Sequence, residues 1–267
     1  MSGVVILGSG MAGWGAAHRL HADGVPALML EKNSYIGGHA ASHRFAGGWL
    51  FDEGPHVSFT KVERIQALLA GNVAEQYRRI PARVNNYWRG HWIKHPAQCN
   101  LHGLPPELIV DCIRDFVAAQ SAPTPEIRNY REWLLAAYGA TFAETFPMEY
   151  TVKYHTTPAD NMSTEWLGPR LYRPTLDEVL RGALLPKSAD VHYVDEFRYP
   201  TQGGFVAYLE AFRTLCDLRL NHQVEDVDPK ARSLRCANGV TTSYDRLISS
   251  MPLPELIRRI DGAPREV

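Results

Sequence analysis

The chain carries little net charge, few cysteines and no long apolar run. Its 28 Lys and Arg residues nearly balance 29 Asp and Glu residues, for a net charge of −1. So weak a field gives no electrostatic case for nucleic acid or an anionic membrane surface as a partner. No stretch approaches the ~20 apolar residues that a transmembrane helix needs. The first residues run directly into an apolar strand pattern, so no secretory signal is expected. Cys99, Cys112, Cys216 and Cys236 are scattered, with no C-x-x-C pair. The expectation is buried structural thiols in a reducing compartment, the cytoplasm. Repeats and low-complexity tracts are absent too. What is present is an ordinary globular composition, 45% hydrophobic and 21% charged over 267 residues, enough for one large domain or two small ones.

The N-terminus organises the rest. Val4-Val5-Ile6-Leu7 reads as a buried parallel strand. Gly8-Ser9-Gly10-Met11-Ala12-Gly13 follows at G-x-G-x-x-G spacing, then a helix from about Met11 to His21 and a second strand, Ala27-Leu28-Met29-Leu30. Gly8 allows the tight turn, Gly10 lets backbone approach a pyrophosphate, and Gly13 lets helix and strand pack closely. The helix start, at Met11 and Ala12, turns its free N–H groups and positive dipole end toward the phosphates. Glu31 ends the second strand, 23 residues after Gly8, where it can accept hydrogen bonds from a ribose. Between a strand and a helix, with that acid in place, the motif predicts a dinucleotide site.

Glu31-Lys32 continues through Gly37-Gly38-His39, an E-K-x-x-x-x-G-G extension. This resembles FAD-dependent proteins of the amine oxidase and protoporphyrinogen oxidase superfamily, nearest to the UDP-galactopyranose mutase-like group. The resemblance implies FAD as cofactor, in reduced form for mutase chemistry. It places Lys32, Gly37, Gly38 and His39 beside that cofactor. The run Phe51-Asp52-Glu53-Gly54-Pro55-His56 is similar to the group's F-D-x-G-x-H segment and makes His56 flavin-adjacent. Glu196 to Phe205 carries the group's F-x-Y-P-x-x-G-G pattern, with a helix expected from Phe205 to Cys216. Leu218 to Val227 resembles the strand that meets the adenine, a place assigned to Val224. Leu247 to Pro252 resembles a strand passing the cofactor, with Ser250 on it.

The middle of the chain reads differently. Residues 77–95 alternate as a hairpin about Arg89-Gly90, and helices are expected over Pro105–Ala119, Glu126–Tyr138 and Thr141–Tyr150. His91, His95, Cys99 and His102 tempt a metal reading, but Pro96 and the hairpin pattern argue against it, and no metal is expected. Tyr150-Thr151-Val152-Lys153-Tyr154-His155 and Asn161 to Leu171 resemble the mutases' Y-x-x-K-x-W and M-x-x-x-W-[LM]-G-x-R-[VL] segments. By that resemblance Tyr150, His155, Trp166, Arg170 and Arg173 bind substrate, with Arg170 holding a nucleotide-sugar diphosphate. His155 stands where the family has Trp, which changes the substrate wall.

The expected fold is α/β: a Rossmann-like FAD-binding domain (GR2-type) with an inserted, mainly helical substrate domain, C-terminally truncated. The expected boundaries are 1–104 and 196–267 for the FAD-binding domain and 105–195 for the insert. The family's closing segment carries a Gly-Asp, and this chain has no Gly-Asp dipeptide. Weaker FAD binding, an exposed apolar edge and a C-terminal partner fragment are therefore expectations. The implied reaction is UDP-hexopyranose to furanose isomerisation through the N5 atom of reduced flavin, with the flavin as the reacting centre and no side-chain nucleophile. Two alternatives stand beside it: an FAD-dependent oxidoreductase of the amine oxidase or protoporphyrinogen oxidase type, and a non-catalytic flavoprotein fragment. The partner in the first two is a small molecule, a nucleotide-sugar or another substrate.

Overall fold

Val4, Val5, Ile6 and Leu7 are apolar on both faces of the pleat because both faces are covered. The computed structural model describes residues 3–123, 126–168, 171–186 and 194–263. In it Val4–Leu7 forms β1, followed by helix α1 (Met11–Ala22) and strand β2 (Ala27–Leu30). Next come β3 (Ser42–Arg44), β4 (Leu50–Asp52), α2 (Glu63–Asn72) and β5 (Tyr77–Pro81). The middle holds β6 (Asn85–Trp88), β7 (His91–Lys94), α3 (Pro106–Ser121), α4 (Tyr130–Tyr138), α5 (Ala140–Thr145), α6 (Pro147–His155) and α7 (Leu176–Leu184). The chain then returns through β8 (Glu196–Pro200), α8 (Ala207–Glu210), β9 (Asp217–Arg219), β10 (Val224–Asp228), β11 (Ser233–Cys236), β12 (Thr241–Ser243), β13 (Arg246–Ser249) and α9 (Leu253–Ile257).

Two units result, one made of residues 1–80 and 196–267, the other of residues 81–195. The first is discontinuous, interrupted by the second. Residues 81–104, read from the sequence as part of the first domain, group with the second unit. The reason is local: Ile93, Ala97, Cys99, Leu101 and Leu104 are buried in the core that also holds the helices α3 to α7.

In the first unit a parallel sheet runs in the order β13-β1-β2-β9. Ile6 and Met29 face one side, where Trp14 and Ala17 of α1 meet Tyr208, Leu209 and Phe212. Val5, Leu7 and Leu30 face the other, against the antiparallel sheet β10-β11-β12 through Val224, Leu234 and Cys236. Burying a large aliphatic side chain contributes about 1.5–3 kcal/mol. The run Val4–Leu7 therefore holds both layers at once.

The second unit is built on aromatic packing. Phe116, Tyr130, Leu134, Tyr138, Phe142 and Phe146 are all buried. Gly139, at φ +80°, carries the chain from α4 into α5, and a Cβ there would stand under 3.0 Å from the Asp115 backbone. Thr175 starts α7 with a reciprocal capping box to Glu178. No described helix is long and apolar enough to cross a membrane.

Several elements are shorter than their patterns suggest. The helix expected over Glu126–Tyr138 begins at Tyr130, because Asn129 accepts from the Glu132 N–H and caps it. The single helix expected over Thr141–Tyr150 is two, α5 and α6, broken at Phe146 ahead of Pro147. The helix expected from Phe205 is one turn of α-helix followed by a 3-10 turn over Ala211–Thr214. The strand expected over Leu218–Val227 splits into β9 and β10 at Asn221, which adopts φ +56°. Strand β5 pairs with β8 rather than joining the β6–β7 hairpin.

Candidate functional site

The first unit contains a cleft of about 830 Å3 at the end of β1. Its floor is backbone. Gly8, at φ +92°, leaves β1 and donates to the Leu30 carbonyl at 2.8 Å. A Cβ on Gly13 would lie under 3.0 Å from the Gly8 carbonyl oxygen, so helix α1 sits this close to the turn only with glycine there. Gly10 precedes α1 without any side-chain cap, and the first turn has no acidic residue. The leading N–H groups of a helix have no partner within it, and they carry its positive dipole end. Met11 and Ala12 of that turn line the cleft.

A second glycine loop closes on the first. Gly37 donates to the Ser9 carbonyl at 3.0 Å, and Gly10 and Gly37 form an isolated parallel bridge. Gly38, at φ +53°, has its Cβ position 3.3 Å from the Gly10 Cα. A Cβ on Gly37, at φ +114°, would lie under 3.0 Å from the Ala41 backbone, so this loop too is built for glycine. From the end of β13, the strand beside β1, Ser250 donates its hydroxyl to the Leu7 carbonyl at 2.8 Å, behind Gly8.

Glu31 is buried, and its carboxylate is largely engaged by the protein itself. Ser9 donates to it through its N–H at 2.9 Å and its hydroxyl at 2.7 Å, and Asn33 through its N–H at 2.9 Å. A carboxylate accepts about four hydrogen bonds. One position thus remains for a ribose hydroxyl, and the main work of Glu31 is to lock Ser9, hence the glycine loop. The role of Ser9 was not visible in the motif, where it stands at a variable position.

Gly8, Gly10, Met11, Ala12, Glu31, Lys32, Gly37, Gly38, His39, His56, Val224 and Ser250 all line this one cleft. Gly13 supports it from behind. His56 packs on Phe205 with ring centroids 5.3 Å apart, and its Nδ1 lies 2.9 Å from the Gly54 carbonyl oxygen. Phe205 is held by Asp52, whose Oδ1 accepts from the Phe205 N–H at 3.0 Å and the Ser42 hydroxyl at 2.5 Å. The other oxygen of Asp52 accepts the Tyr199 hydroxyl at 2.7 Å, and burial, with that bond second, pushes the Tyr199 pKa up to about 12. Asp52 therefore ties β4, β8 and the Gly203-Gly204 turn together. The F-D-E-G-P-H motif contained it, but only its His had been given a role. Glu53, whose carboxylate lies 2.5 Å from His43 Nε2, completes the wall with Tyr35.

The residues expected to bind substrate lie in the second unit. Trp166 sits between Tyr130 and His155, with ring centroids at 5.1 and 5.4 Å. Its indole N–H donates to the Ser163 carbonyl at 2.7 Å. The Tyr150 hydroxyl is buried with no hydrogen-bond partner among the described residues, and burial pushes its pKa up. The Arg173 guanidinium lies 5.4 Å from the Trp133 ring centroid. Arg170 lies outside the described residues. Cys99 and Cys112 are buried thiols pushed up to about 12, by desolvation first and then by nearby carboxylates. They stay protonated and unreactive. Among the described residues no three His, Cys, Asp or Glu side chains gather as a metal site, and His91 Nδ1 lies 2.9 Å from the Gly103 carbonyl oxygen.

The fold and cleft define a class: a Rossmann-like domain with a cleft at the end of its parallel sheet, interrupted by a mainly helical unit. Residues 6–71 match the family model of the NAD(P)-binding Rossmann-like domain. The whole chain overlays on a reduced UDP-galactopyranose mutase with a TM-score of 0.92 and 27% identity, covering 100% of this chain and 59% of that one. A putative protoporphyrinogen oxidase from Exiguobacterium sp. follows at TM-score 0.70 and 18% identity, covering 96% of this chain and 60% of that one. Putrescine oxidase bound to putrescine gives 0.61 and 16%, covering 97% and 60%. The chain thus shares its fold with these proteins and spans about three fifths of each of their chains.

Proposed function

We propose that the cleft binds FAD and that the chain carries the cofactor-holding part of a flavoprotein of the UDP-galactopyranose mutase kind. The observation that carries the reading is the overlay on the mutase at TM-score 0.92 along the whole chain, against 0.70 for the oxidase from Exiguobacterium sp.. The donor set suits the cofactor. The uncapped start of α1 and the two abutting glycine loops offer N–H groups to a pyrophosphate. The remaining acceptor position of Glu31 takes a ribose hydroxyl. Val224 meets the adenine, Lys32 and His39 flank the loop, and His56 lies toward the flavin ring. Reduced FAD, when bound, supplies a nucleophilic ring nitrogen, N5, for the isomerisation of a UDP-hexopyranose to its furanose. Tyr150, His155, Trp166, Arg170 and Arg173 form the substrate side, with the guanidinium groups suited to a diphosphate. The protonated thiols suit a reducing cytoplasm.

A second reading is an oxidoreductase in which a reduced carbon, such as that of an amine, gives up a hydride. The clustering of Trp166 with Tyr130 and His155 favours it, because an aromatic cage suits an amine better than a diphosphate. The FAD-loaded protein separates the two. With dithionite, conversion of UDP-galactofuranose to UDP-galactopyranose supports the mutase reading. No conversion, together with bleaching of the flavin by an amine, replaces it with the oxidase reading.

A further inference from the structure

The reading of the cleft as a dinucleotide site gives no role to Arg259, which lines it. This arginine is held at both ends. Its carbonyl accepts from the Val227 N–H at 2.7 Å, and Ile260 bridges Val227 in parallel, so residues 259–260 run as a short rail along β10. Its side chain turns back along that strand. Nε donates to the Val224 carbonyl at 2.9 Å, and Nη1 donates to the Glu255 carbonyl at 2.8 Å and the Glu255 carboxylate at 2.7 Å. The side chain is only 23% exposed. Nη2 has no protein partner among the described residues. A guanidinium fixed by two of its nitrogens, on a residue that lines the cleft, is pre-organised to donate to a ligand from its third.

Its place in the cleft indicates which part of a ligand it meets. Ser9 of the glycine loop donates to Glu31, and the His222 N–H donates to the Glu31 carbonyl at 2.8 Å. That path leads from the phosphate loop, past the ribose position, to Val224 and Arg259. We propose that Arg259 is a nucleotide-binding residue, which donates from Nη2 to an acceptor atom of the adenine moiety and sets the affinity of the cleft for the adenosine half of its ligand. The inference rests on the dinucleotide reading above.

The test is calorimetric titration of the wild-type chain, Arg259→Met and Arg259→Lys with ADP, FAD and FMN, the last lacking the adenosine half. Loss of a charge-assisted hydrogen bond lowers affinity about tenfold or more. The expected result is that loss for ADP and FAD alike in Arg259→Met, with FMN binding within about twofold of wild type. Arg259→Lys keeps the charge but cannot hold Val224 and Glu255 while reaching the ligand, so it shows the same loss. It also answers the question if the Met variant fails to fold. ADP affinity within about twofold of wild type in either folded variant overturns the proposal. So does a fall in FMN affinity equal to that of ADP, which marks Arg259 as a brace of the cleft alone. A wild-type chain that binds neither ADP nor FAD sinks the underlying reading instead.

Discussion

The two units solve the problem of precision in opposite ways. The first shapes its cleft with backbone: Gly8, Gly13, Gly37 and Gly38 stand where a side chain would collide with a carbonyl or another chain segment. Few side chains are needed, and those that matter, Glu31 and Asp52, act by gathering backbone N–H groups and hydroxyls. The second unit is held by side chains: Tyr138, Phe142 and Phe146 pack in series, edge-on and then tilted, with centroids 5.4 and 5.1 Å apart. A site made of backbone tolerates no added atom. A core made of rings tolerates no removed one.

That contrast can be broken or sharpened by substitution. Phe142→Ala removes a ring at the centre of the second unit's core, and about 3–5 kcal/mol of stability should go with it. Chemical denaturation measures the loss, while FAD affinity of the folded fraction should hold. Gly13→Ala does the reverse. A single methyl forced against the Gly8 carbonyl costs about 3 kcal/mol, and equilibrium dialysis should find FAD retention abolished. If Gly13→Ala binds FAD as the wild type does, the backbone-built cleft is not the cofactor site.

Asp52→Ala leaves the Tyr199 hydroxyl and the Phe205 N–H without their acceptor. A loss of about 2 kcal/mol is expected, with weakened FAD binding because Phe205 supports His56. A thermal melt in the presence and absence of FAD separates the two effects. The smallest effect is electrostatic and belongs to the second unit. Thr141 donates its N–H and hydroxyl to Asp115, which holds that carboxyl below its ordinary value of 3.8. A depressed carboxyl contributes stability above its unfolded value and loses it as pH falls through the folded one. The stability gap between wild type and Asp115→Ala should therefore be constant near neutrality and shrink below about pH 4. Urea melts across that range measure it.

Much of the fold was legible because it depends on local rules. The strand, glycine turn, helix and second strand of residues 4–30 each follow from spacing and burial, and β1 and β2 pair in parallel. What was not legible depends on contacts far apart in sequence. Residues 81–104 carry no mark that they share a core with the helices α3 to α7, where Ile93 and Leu101 are buried. The helix break at Phe146 required weighing Pro147 as a first-turn residue rather than an interruption. In the site, glycines and acids announced themselves by motif. Ser9, Asp52 and Arg259 did not, because each works through a partner between 22 and 153 residues away. The Glu255–Arg259 spacing of four was the one local hint for the last.

The first unit's cleft is proposed to hold flavin adenine dinucleotide. The direct measurement is to load the purified chain with FAD, remove free cofactor, and record the visible spectrum and the flavin-to-protein ratio. The expected result is a structured flavin band with about one FAD per chain, and a melting temperature that rises with added FAD. A folded chain that retains no flavin and shows no such rise would contradict it.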